Sequence, residues 1–382
     1  MKKILRILIL IFVLWNFDTF SLFFISPVIG GIVSYLTIFL LLVYFILFVE
    51  DYGKPLFPFL LLGISYYTIG GLNFTQVSID DFLKNYIKYI LVVLCFTELV
   101  KDTKIEEIYI LFLFGAGSIL IHAVFFSNTF IMGTENYGRY SGFYLNPNAA
   151  GSICLYGFSL SYIIKNTKLK LFGQLLFSLA GLLTMSRYFI LIWVLINIIA
   201  VVMNRKNLVT PVLGSIALIF VLVSGTISLN SSRFGALESL FNDEKVKTKV
   251  ISNDSRTETW ATYTDIILDK PFFGNGYPKL HGNHFGLTAG VHNFYLLILG
   301  EAGIIPFFII LWIVFFLITK AIKHYKNNLS FLFLTITITS GLLVAHTGFD
   351  NFKLIFMMIF LYLNFQNLEN RQINVNKPTL LS

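Results

Sequence analysis

The residues YFILIWVLINIIAVVM (188–203) run without one charged side chain. After the basic break NRKN (204–207) the apolar pattern resumes as LVTPVLGSIALIFVLVSGTI (208–227). A helix needs roughly 20 apolar residues to cross a bilayer. Two such runs around a short basic turn read as a membrane hairpin with its turn in the cytoplasm. Similar runs recur near 4–24, 29–49, 55–72, 85–99, 108–128, 148–164, 171–185, 292–317, 329–345 and 352–366. The spacing predicts an all-α polytopic membrane protein of about 12 transmembrane helices.

Composition points the same way. Apolar residues make up 56% of the 382-residue chain, charged residues 13%, and the mean hydropathy is +0.78. An ordinary soluble domain is about 25% charged, so a water-soluble globular enzyme and a disordered chain are both excluded. The net charge of +8 does not imply a nucleic-acid partner. In so apolar a chain, Lys and Arg report which loops face the cytoplasm. Cys95 and Cys154 both fall in apolar runs and read as packing residues rather than a disulfide. The start, MKKILRILILIFVLW (1–15), has the form of a signal peptide. No small-residue cleavage site follows in NFDTF (16–20), so it is expected to be a retained first span.

An even number of spans puts both termini on one side. Lys2, Lys3, Arg6, Lys54, Lys101, Lys104, Lys165, Lys168, Lys170, Arg205, Lys206, Lys320, Lys323, Lys326, Arg371 and Lys377 fall on that side. The short opposite loops carry only Lys84, Lys88, Arg139, Arg187 and Lys353. Both termini are therefore expected in the cytoplasm. The chain divides into helices 1–9 (residues 1–227), an extracytoplasmic loop (228–291), helices 10–12 (292–366) and a cytoplasmic tail (367–382). A polar loop of that length is no simple connector. Arg139, Arg187, Arg233 and Arg256 lie on the outer side, where positive charge is otherwise scarce. The planar guanidinium suits phosphate.

Several constellations could carry chemistry. In GRYSGFYLNPNAAG (138–151), Asn146 and Pro147 signal a helix start, with Asn148 beside them. A capped, small-faced membrane helix accounts for these residues, but it does not require Arg139. Ser186-Arg187 forms a turn between two spans, where an arginine either anchors at the headgroups or holds a lipid-borne phosphate. Ser255-Arg256-Thr257-Glu258 fits a capping box ahead of an apolar face of Trp260, Tyr263, Ile266 and Ile267. Arg256 thus falls in a first turn, where the helix dipole disfavours a cation and favours an anion. His292-Asn293 opens the tenth span; a histidine there is either a packing residue or a proton carrier. His281, His284 and His292 match no zinc spacing. Asp80-Asp81 and Asp350 are weak metal candidates, since adjacent carboxylates in a polar loop are more often solvated. No nucleotide-binding loop is present, and no cofactor or metal is expected.

RYSGFYLNPNAAG (139–151), SR (186–187), SRTETW (255–260), PFFGNGY (271–277) and HNFYLLILGEAG (292–303) follow one another around the long loop. With them the chain resembles the O-antigen ligase and polymerase superfamily, over about residues 108 to 320. The resemblance implies a metal-independent, inverting glycosyltransferase that uses an undecaprenyl-diphosphate-linked glycan on the outer face of the bacterial cytoplasmic membrane. It implies Arg187 and Arg256 as diphosphate-binding arginines and His292 as the histidine near the acceptor. Arg139 and Arg233 have no aligned position in that pattern; with Asn146, Asn148 and Asn293 they are candidates for substrate binding. The implied partners are the lipid-linked glycan, a glycan acceptor, membrane lipid and other polysaccharide-assembly proteins.

The leading function is a polymerase that joins lipid-linked repeat units into a capsule or O-antigen polysaccharide. The alternative is a ligase that moves the glycan to a different acceptor. A lipid-glycan transporter fits less well, because transporters place polar residues near the midplane and often show repeated halves.

Overall fold

A computed structural model describes residues 1–49, 56–73, 79–129, 138–223, 256–282, 289–345 and 348–375. The helices, in chain order, are α1 (Lys2–Leu14), α2 (Phe17–Phe24), α3 (Pro27–Phe48), α4 (Phe57–Gly71), α5 (Ile79–Asp102), α6 (Ile105–Phe125), α7 (Pro147–Leu160), α8 (Thr167–Leu183), α9 (Arg187–Met203), α10 (Val209–Val223), α11 (Arg256–Asp269), α12 (Phe294–Ala302), α13 (Ile304–His324), α14 (Leu329–Leu342) and α15 (Phe352–Val375). No strand occurs among the described residues. A backbone in hydrocarbon must satisfy its hydrogen bonds internally, so an apolar chain of this kind folds as helices. Among the described residues, α3, α6 and α13 are long and apolar enough to cross a membrane. The count rises to four if α1 and α2 form one bent span.

Two expected spans are broken. The first bends by 60° between α1 and α2, where Asn16 takes a left-handed backbone with φ 58°. Asn tolerates that conformation better than most residues. The expected tenth span, 292–317, divides into α12 and α13 at Gly303, whose φ is +79°.

The chain forms two compact units that interleave in sequence. One comprises Met1–Lys2, Ile38–Thr103 and Tyr263–Ser382; the other comprises Lys3–Thr37 and Lys104–Thr262. In the second unit α6, α7 and α8 pack on one another. The Trp15 indole donates to Leu111 O at 2.9 Å, and Arg6 bridges to Glu107 at 2.7 Å. In the first unit α4 packs on α5, α12 and α13. There α15 continues past residue 366 as a polar extension, and its Glu369 meets Lys320 at 2.5 Å and Lys323 at 3.1 Å.

The α12–α13 break is built by the motifs PFFGNGY and GEAG. A Cβ on Gly303 would lie 2.0 Å from Phe272 O, and one on Gly274 (φ +68°) would lie 2.3 Å from the Glu301 carbonyl carbon. Both atoms belong to the backbone and cannot swing aside. Left-handed strain adds a further cost of about 1 kcal/mol or more for any other residue. Gly303→Ala is therefore expected to remove most of the protein that elutes as a single folded peak in detergent. A wild-type yield of that peak would contradict this packing.

Candidate functional site

In the second unit, the N-termini of α7 and α9 are tied to one arginine. Asn146 caps α7: its Oδ1 accepts from Asn148 N at 2.8 Å and Ala149 N at 3.3 Å. Pro147 occupies the first helical position, where its missing N–H costs nothing. Ser186 caps α9 by accepting from Phe189 N at 3.4 Å, and its hydroxyl donates to Asn148 Oδ1 at 3.0 Å. The Arg139 Nη2 donates to the same Asn148 oxygen at 3.2 Å, and its Nε donates to Thr184 O at 3.3 Å. Arg139 and Ser186 are buried, at 7% and 0% exposure. Arg187, the first residue of α9, is exposed.

The loop segment bearing Arg139 is held from two sides. Tyr140 N donates to Leu183 O at 3.1 Å. His122 Nδ1 accepts from Ser141 N and Gly142 N, each at 3.2 Å, while its Nε2 reaches Thr129 O at 2.7 Å. These partners assign the tautomer with the proton on Nε2. Sequence reasoning did not single out His122, whose ring meets Thr129, Ser141 and Gly142 beyond its own helix.

Arg256 lies in the first turn of α11. Ser255 of the expected capping box lies outside the described residues, as do Arg233 and His284. On the apolar face of α11, Tyr263 and Ile267 are buried.

In the first unit, His292 and Asn293 sit at the start of α12. Asn293 Oδ1 caps the helix, accepting from Tyr295 N at 3.0 Å and Leu296 N at 3.2 Å. His292 is half-buried and takes a left-handed backbone, with φ +47°. That conformation is uncommon outside glycine and marks a position held by its surroundings.

At the other end of α12 lies a cluster of ionisable groups, of which the sequence analysis weighed His281 and Asp350 only as metal ligands and gave Glu301 no role. Glu301 is fully buried. Its Oε1 accepts from Leu280 N at 2.6 Å, its Oε2 accepts from the Tyr66 hydroxyl, and His281 Nε2 lies 3.5 Å from the same oxygen. Tyr66 in turn stacks on Phe349 at 4.0 Å. Burial disfavours a charged His281, but the Glu301 charge and hydrogen bond, with Asp350 beyond, outweigh it and raise the ring's pKa above its ordinary value. A signal for Glu301 existed: it is a carboxylate inside the apolar run ILGEAGII.

Asp80 and Asp81 occupy the exposed first turn of α5, where the helix dipole favours negative charge. Among the described residues no three or more His, Cys, Asp or Glu gather as a metal site.

Residues 172–311 match the family model described as O-antigen ligase. The segment runs from α8 into α13 and includes Arg187, Arg233, Arg256, His281, His292 and Glu301. No curated protein and no solved structure matches the chain. With the apolar helices, the match supports a glycosyl-transfer enzyme of the inner membrane that acts on lipid-linked glycan. Over residues 172–311, which hold the Ser186-capped, arginine-bearing start of α9 and a histidine in left-handed backbone, the match supports the O-antigen ligase/polymerase superfamily.

Proposed function

We propose that the chain is a polymerase that joins undecaprenyl-diphosphate-linked oligosaccharide repeat units into capsule or O-antigen polysaccharide on the outer face of the membrane. In this reading about 12 spans cross the bilayer, both termini are cytoplasmic and the 228–291 loop is extracytoplasmic. The observation that carries it is the pair of α7 and α9 N-termini joined through Asn148 to Ser186 and Arg139, with Arg187 exposed at the start of α9. Helix N-termini favour anions, and a cation placed there is destabilised by roughly 0.3–1 kcal/mol until an anion arrives. A diphosphate reverses the sign of that cost.

The chemistry then follows. The acceptor hydroxyl attacks the anomeric carbon, the bond to the diphosphate oxygen breaks, and configuration inverts. Negative charge grows on the leaving diphosphate, and Arg187 and Arg256 supply fixed positive charge for it, so neither metal nor cofactor is required. Arg139 and Asn148 hold the α7 and α9 starts in register. His292 takes or orients the acceptor's proton.

A ligase that transfers the glycan to a different acceptor is the second reading, favoured by the description of the matching family. A deletion strain separates the two when its surface glycan is run on a gel. A single repeat unit on the acceptor is the expected result. Long chains left on the lipid carrier would favour the ligase, and an unchanged glycan ladder would overturn both.

A further inference from the structure

We propose that Glu301 is a positioning residue for His292, acting through Leu280 and Val291. The inference rests on the acceptor-side role given to His292 above. The path is a chain of hydrogen bonds within one unit. The Glu301 carboxylate accepts from Leu280 N at 2.6 Å. The Leu280 carbonyl accepts from Val291 N at 3.1 Å. Val291 is fully buried and directly precedes His292. On the other side of His292, Asn293 is fixed by its cap on α12. A left-handed histidine is thus restrained on both flanks, and Glu301 anchors one of them.

The rest of the loop supports that anchor. Asn275 N donates to Gly300 O at 2.7 Å, Gly276 N donates to Glu301 O at 3.0 Å, and Tyr277 N donates to Gly70 O at 2.9 Å. The Asn275 side chain adds a bond to Ile266 O at 2.8 Å. Carbonyls that end a helix must find donors, and here the loop supplies them. Glu301 adds what backbone bonds alone do not: a charge that engages His281 and Tyr66 and sets where Leu280 sits. A buried carboxylate is costly unless hydrogen-bonded and paired, so the cluster stays closed around it.

A displacement of about 1 Å at a reacting group can cost about 10²-fold in rate. Glu301→Ala is expected to lower kcat by about that factor while the KM for the lipid-diphosphate donor stays within about 2-fold. Glu301→Gln keeps an oxygen for Leu280 N but loses the charge, and should lose less. It serves as the variant of record should Glu301→Ala not accumulate. The deciding measurement is a double-mutant cycle with His292→Asn, using purified enzyme and a donor bearing one repeat unit.

If Glu301 acts through His292, its replacement costs no more than about 2-fold once the imidazole is gone. An equal loss in both backgrounds, or a wild-type kcat in both Glu301 variants, overturns the positioning role. His292→Asn with wild-type turnover instead overturns the acceptor-side reading itself. The two failures are distinguishable.

Discussion

Arg187→Ala is expected to lower glycan transfer by roughly 10²- to 10³-fold, the cost of deleting one preorganised stabiliser of a developing anion. The protein should still insert and accumulate, because the Arg187 side chain is exposed and the cap of α9 comes from Ser186. Arg187→Lys should recover little, since an ammonium lacks the planar fork that meets two phosphate oxygens at once. Arg256→Ala should behave alike, because Arg256 also lies in a first turn. Arg139 is a poorer probe: it is buried and bonded to Thr184 and Asn148, so its loss would disturb folding as well as chemistry. Fixed arginine charge also predicts that a chelator leaves the rate of purified enzyme unchanged. Normal transfer by accumulated Arg187→Ala would remove that residue from the site, and a rate abolished by chelation and restored by Mg²⁺ would reassign the charge to a metal.

His292→Asn is expected to lose transfer by about 10²-fold or more if the ring is a general base, with donor binding little changed. Asparagine is the better replacement than alanine. It adopts the left-handed backbone at φ +47° with less strain than alanine, so the loss reports the ring and not the turn. The measurement pairs equilibrium binding of an undecaprenyl-diphosphate analogue with turnover in the same preparation. Weakened donor binding with unchanged turnover per bound donor would move His292 to the diphosphate side.

Hydropathy made the helices legible, because hydrocarbon leaves an apolar segment little choice of backbone. The helix starts were legible too. Asn146, read as a cap, serves as one, while Ser186 and Asn293, read as a turn residue and the opening of a span, turn out to be caps as well. The breaks were not. Glycine is common inside membrane helices, and what stops α12 at Gly303 is the Phe272 carbonyl, far upstream in sequence. The arginines could be read as odd charges in apolar surroundings. The bonds that join Arg139 to Thr184 and Asn148 to Ser186 link segments about 40 residues apart in sequence, and no local pattern announces them. Glu301 was visible as a carboxylate in an apolar run, but its partners Tyr66, Leu280 and His281 come together only in the folded unit.

The joint between the PFFGNGY loop and the end of α12 also bears on the order in which the chain is made. The donors Asn275 and Gly276 leave the ribosome before the acceptors Gly300 and Glu301. Tyr66, which grips the Glu301 carboxylate, is older still. When Phe294–Ala302 is made, partners for its last carbonyls have already been synthesised, so the interruption at Gly303 need not wait for α14 or α15. Synthesis from the N-terminus lets such a joint close on a nascent chain. The helix pair α12–α13 can then be delivered to the membrane as a finished elbow rather than as a defect awaiting repair.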